Sequence, residues 1–82
     1  MGFSIDTMLA AGDAIGVNWH RVSFDEFAMG MQEELEHRDI TGGDPVLTAR
    51  IAMAHLKELP DYYTRLKAME RQAKKERRRG LF

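Results

Sequence analysis

An all-α fold, a small bundle of three to four short helices with a basic C-terminal helical extension, is predicted by three observations on the 82-residue chain. Apolar residues recur at helical spacing in four segments, Gly and Pro punctuate the sequence between them, and no segment alternates as a strand would. Charge is divided along the chain. Met1 to Thr64 carries 4 Lys and Arg against 11 Asp and Glu, a net −7, whereas Arg65 to Phe82 carries 8 against 2, a net +6. At this length only one thin core can be buried, and apolar and charged fractions of 44% and 30% suit a folded domain. The expected organisation is a helical domain over residues 1–73 and a basic extension over residues 74–82.

The first helix should begin after Ser4, whose hydroxyl can cap free N–H groups, and run with Ile5, Met8, Leu9 and Ile15 at helical spacing until Gly16 stops it. Val17, Trp19 and Val22 follow in a connector, with Trp19 as the largest apolar body available to anchor the core. Ser23 followed by Glu26 is a capping-box pattern that starts a second helix at Phe24. Phe24, Phe27, Ala28, Met31 and Leu35 then form one apolar stripe, and the helix should end near His37 or Arg38, ahead of a Gly42-Gly43 turn. Asp44-Pro45 supplies a cap and a first-turn proline for a third helix, whose inward face is Ile51, Ala52, His55, Leu56 and Leu59. Pro60 ends it. The last helix starts near Asp61 with Tyr62, Leu66, Met69 and Ala73 as its stripe, after which Lys74 to Arg79 should project as a solvated extension.

Composition excludes several classes of function. Without cysteine there is no disulfide, no thiolate metal site and no cysteine nucleophile. No apolar run reaches the roughly 18 residues of a membrane span, and Met1 to Ile5 has neither the basic flank nor the apolar stretch of a secretion signal. A cytoplasmic location and no membrane partner are expected. There is no nucleophile elbow and no Gly-rich phosphate loop after a strand, so no enzymatic activity and no cofactor are expected.

Two constellations carry chemistry. Glu34 with His37, and His55 with Glu58, each place a carboxylate and an imidazole one turn apart, the unit with which helical bundles ligate transition metals. If the two helices pack antiparallel, the four groups would converge. The preferred reading is plainer: a buried His55 satisfied by a carboxylate or a tyrosine hydroxyl, with one of Tyr62 and Tyr63 in the core and the other hydrogen-bonding across helices. Met29, Met31, Met53 and Met69 are adaptable core filler in preference to a sticky interface. The second constellation is the cationic run from Arg71 to Arg79, which can neutralise phosphates or dock on an acidic protein surface, including the body of a second copy. It lacks the interleaved aromatics and base-reading residues of specific nucleic-acid recognition.

The strings Glu34-Leu35-Glu36-His37, Ile51-Ala52-Met53-Ala54-His55-Leu56, Pro60-Asp61-Tyr62-Tyr63-Thr64-Arg65-Leu66 and Met69-Glu70, in that order, resemble a family of small uncharacterised bacterial and bacteriophage proteins classed as a domain of unknown function. The resemblance covers roughly Val17 to Glu70. It implies an α-helical domain frequently encoded in phage or prophage settings, located in the host cytoplasm or the phage particle, with no enzymatic role to carry over. The short loop from Asp39 to Gly43 and the strongly basic ending depart from the family pattern.

Taken together, the residues lead to a non-enzymatic interaction or structural accessory protein, and the resemblance implies one of a phage virion-associated kind. Its basic helix end would dock on an acidic protein or, without sequence preference, on nucleic acid. The docking residues are Arg71, Lys74, Lys75, Arg77, Arg78 and Arg79, with Leu81 and Phe82 as a hydrophobic anchor. One alternative is a metal-binding helical protein using Glu34, His37, His55 and Glu58, across a homo-oligomer if need be; another is a small phage inhibitor of a host defence complex.

Overall fold

A computed structural model describes residues 2–80, and within them the chain is all-α with no strand. Helix α1 spans Ile5–Ala14, α2 Phe24–Glu34, α3 Arg38–Thr41, α4 Pro45–Glu58 and α5 Tyr62–Arg78, with a 3-10 turn at Leu35–His37 between α2 and α3. Leu81 and Phe82, the expected hydrophobic anchor, lie outside the described residues.

Local chemistry sets most of the boundaries. Ser4, Ser23 and Asp44 each accept a backbone N–H in the first turn of the following helix, and Pro45 occupies a position where its missing donor costs nothing. Gly16 and Gly42 take left-handed backbone angles at the ends of α1 and α3, where a side chain would be strained. The helical run that starts at Phe24 passes the expected stop at His37 or Arg38. It tightens through the 3-10 turn and resumes as one α-turn to Thr41, so the loop before Asp44 shrinks to the two glycines.

The core forms where α2 lies along α4, with α1 on one side and the first turns of α5 on the other. Phe27, Met31, Ala49, Ala52 and Tyr63 are fully buried, and Met8, Ala11 and Leu56 nearly so. In α1 the inward face is Met8, Ala11 and Gly12, and the expected Ile5 is 62% exposed. The reason is Trp19, whose indole lies over Gly12 and edge-on to Phe24 and Phe27 while its N–H donates to Asp13 at 3.0 Å. Only a small residue fits beneath that ring, which fixes the rotation of α1.

The stripe expected along α5 also stops early. Tyr63 is buried and Tyr62 and Leu66 are half-buried, but Met69 is 62% exposed and Ala73 is exposed too. At 1.5 Å per residue α2 is about 16 Å long and α5 about 25 Å, so the last turns of α5 outrun the surface that could cover them.

Candidate functional site

Three helices meet at a polar chain in which Glu34 and Tyr63 are buried and His55 is half-buried. Glu34 at the end of α2, His55 in α4 and Tyr63 in the first turn of α5 are joined at one point. The Tyr63 phenol donates to Glu34 Oε2 at 2.8 Å, and His55 Nδ1 lies 3.0 Å from the phenolic oxygen and 3.3 Å from the same carboxylate oxygen. With the phenolic proton committed to Glu34, the His55 tautomer that completes the chain carries its proton on Nδ1. The His55 ring is stacked on Tyr62 at 4.5 Å and 5°. Burial, and then the hydrogen bond to Glu34, push the Tyr63 phenol well above its ordinary value of 10.0. The phenol therefore keeps its proton throughout the neutral range and serves as a fixed donor that ties α2 to α5.

A second cross-link lies two turns earlier on α2. Glu26 is buried, and its carboxylate does not reach back to Ser23 as the capping box predicts. It accepts from the Thr64 backbone N–H at 2.9 Å and from the Thr64 hydroxyl at 2.6 Å. Thr64 N–H is among the free donors at the start of α5, and the side chain of Asp61, the residue at its N-cap, does not cap it. A carboxylate from α2 therefore performs the capping that local sequence does not. Between the two acids sits Gly30, buried against the Tyr63 ring so closely that a Cβ there would collide with it.

Several sequence-level expectations are settled by this arrangement. His55 is half-buried, not buried as expected, but it meets both a carboxylate and a tyrosine hydroxyl, and Tyr63 alone fills both roles divided between the two tyrosines. Of the four candidate metal ligands, Glu34 and His55 meet, whereas His37 and Glu58 are exposed. Among the described residues no group of three or more His, Asp or Glu is placed to hold a metal ion. The quartet fails to assemble because the 3-10 turn after Glu34 carries His37 out of the α2 register.

Glu33, beside Glu34, is half-buried with Lys67 at 3.9 Å. Burial, then repulsion by Glu70 and Glu36, hold its carboxyl above the usual 4.5, with Lys67 opposing them. A carboxyl whose folded-state value is raised binds its proton more tightly in the folded chain. Stability is therefore lost as pH rises through that range and regained as it falls. Glu33→Gln is expected to melt higher than the wild type at pH 7, and the difference should shrink towards pH 4 in paired thermal scans.

The cationic residues occupy the other end of α5. Arg71, Lys74, Lys75, Arg77, Arg78 and Arg79 are all exposed, and among the described residues none of them forms an ion pair. Lys67, Arg71, Lys74, Lys75 and Arg78 follow at i, i+4, i+7, i+8 and i+11, which puts them on one side of the helix. Glu76 falls on the opposite side, where Gln72 is hydrogen-bonded to it, whereas Glu70, three residues after Lys67 and four before Lys74, borders the stripe. No helix among the described residues is long and apolar enough to cross a membrane.

A family model described as "Protein of unknown function (DUF5661)" matches residues 8–72. The chain belongs to this family. No curated protein and no solved structure matches it. The DUF5661 span contains every residue of the two cross-links and the glycine between them, Glu26, Gly30, Glu34, His55, Tyr63 and Thr64. Lys74 to Arg79 follow the DUF5661 span. Glu26 and Gly30 were missed as site residues by sequence reasoning. The signal that could have found them is their spacing: Glu26, Gly30 and Glu34 stand at i, i+4 and i+8 on a helix whose other polar residues are exposed or half-buried.

Proposed function

We propose that this chain is a non-enzymatic interaction module whose DUF5661 helices form a rigid base and whose exposed cations from Arg71 to Arg79 dock on an acidic protein surface. The observation that carries this reading is the set of six exposed cations from Arg71 to Arg79, which form no ion pair among the described residues and lie beyond the part of α5 covered by the core. Exposed Lys and Arg without local partners repel one another and favour a surface of opposite charge. An acidic protein suits them better than nucleic acid, because the remainder of the chain, Met1 to Thr64, carries −7 and would be pushed away from a polyphosphate. The polar chain of Glu34, Tyr63 and His55 serves as a brace in this reading. In the phage or prophage setting that the resemblance implies, the partner is a neighbouring particle protein or a host protein.

Affinity capture from the source cell, after nuclease treatment, tests the proposal with wild-type bait and an Arg77→Glu, Arg78→Glu, Arg79→Glu bait. The wild type should retain an acidic protein that elutes with salt, and the variant should lose it while its melting midpoint stays unchanged. Equal retention by the variant, or a partner that disappears with nuclease, would contradict the proposal.

A further inference from the structure

We propose a second binding site, separate from α5, in the groove between the α1–α2 connector and α4, and assign it to a segment of a protein partner in which carboxylates flank an apolar side chain. The groove encloses about 880 Å³. Its apolar lining is Ile15, Val17, Val22 and Met53, all half-buried, so each keeps apolar surface open to an incoming group.

The charges around it decide the occupant. Met1 to Thr64 holds only four Lys and Arg among eleven Asp and Glu, and three of the four, Arg21, Arg50 and Lys57, line this groove. All three are exposed, and among the described residues none forms an ion pair despite the acidic surroundings. Glu58 is the one acid among the lining residues. A strongly acidic body that gathers its few cations around an apolar trough presents the complement of an acidic, apolar segment.

Spacing narrows the chemistry further. Arg50 and Lys57 are seven residues apart on α4, about 10 Å along the helix axis, and Met53 lies between them. In an extended segment carboxylates at i and i+4 share one face with an apolar side chain at i+2 and span about 13 Å, within reach of the long Arg50 and Lys57 side chains on either side of Met53. The groove is open to solvent and large enough for several side chains, which fits a peptide segment better than an enclosed small molecule. This site shares no residue with the α5 stripe, so the two proposals stand or fall separately.

The probe is a random twelve-residue peptide library selected on the full chain. Enriched peptides are then measured against wild type, a groove variant (Arg21→Glu, Arg50→Glu, Lys57→Glu) and the Arg77→Glu, Arg78→Glu, Arg79→Glu variant. Peptides that pair carboxylates with an apolar residue should be enriched, and should bind wild type and the α5 variant alike. They should weaken roughly tenfold or more on the groove variant. Amide shifts at Val17, Val22 and Met53 in labelled wild-type chain, and weakening by Met53→Ser, keep the test decisive if the charge-reversed groove variant folds poorly. Enriched peptides that bind the groove variant undiminished, or that are lost only with the α5 variant, would overturn the assignment. So would a selection that enriches nothing, or shifts at those amides produced by decanoate alone.

Discussion

Tyr63→Ala should cost about 4 kcal/mol, a loss comparable with the whole stability of a domain this small, because it removes a fully buried ring and leaves a cavity at the junction of three helices. The truncation also strips Glu34 of its phenolic donor. Tyr63→Phe separates the two effects, since the ring stays and only the hydroxyl goes. A loss of about 2 kcal/mol is expected there, the cost of a buried carboxylate deprived of a hydrogen bond. Tyr62→Phe, whose ring stacks on His55, should change stability by less than about 0.5 kcal/mol. Urea midpoints at pH 7 with unchanged slopes measure all three. A Tyr63→Phe midpoint equal to that of the wild type would show that the polar chain contributes nothing.

Gly30→Ala should destabilise by about 2 kcal/mol, reversing the sign expected for a glycine inside a helix. On propensity alone alanine would add roughly 1 kcal/mol at a helix interior. Here the new Cβ would enter the Tyr63 ring, which cannot retreat because its hydroxyl is held by Glu34 and its body is fully buried. The melting midpoint should fall by roughly 10 °C in a chain of this size. Combined with Tyr63→Leu, the same substitution should cost much less than the sum of the two, since the colliding ring is gone. Additive losses would locate the effect of Gly30 elsewhere.

Much of the backbone was legible because its determinants are local. Ser4, Ser23, Asp44-Pro45 and the glycines act within one turn of themselves, and so α1, α2 and α4 start where their caps place them. The facing of those helices was less legible. Ile5 and Leu9 are as apolar as Met8, and nothing within α1 says that the shape of Trp19 will favour the side bearing Gly12. Glu26 reads as a capping-box partner of Ser23 and Glu34 as a partner of His37, because the groups they bind, Thr64 and Tyr63, lie 38 and 29 residues away. Met69 and Ala73 continue a helical stripe with no bundle left to receive it, since helix length relative to its neighbours is not written in periodicity. For the candidate site the consequence is mixed. The cations of α5 were visible as a run, whereas the meeting of Arg21, Arg50 and Lys57 depends on how α4 packs against the connector.

Docking through the end of α5 requires that this end be free of the core. Amide hydrogen exchange on the isolated chain, read residue by residue at low concentration, tests this most directly. Amides around Met31, Ala52 and Tyr63 should exchange slowest, and those from Met69 to Arg78 should exchange orders of magnitude faster, as an uncovered helix end does. Core-like protection running unbroken through Arg78 would mean that the cationic stripe is already held within the monomer, and would contradict its role as a docking surface.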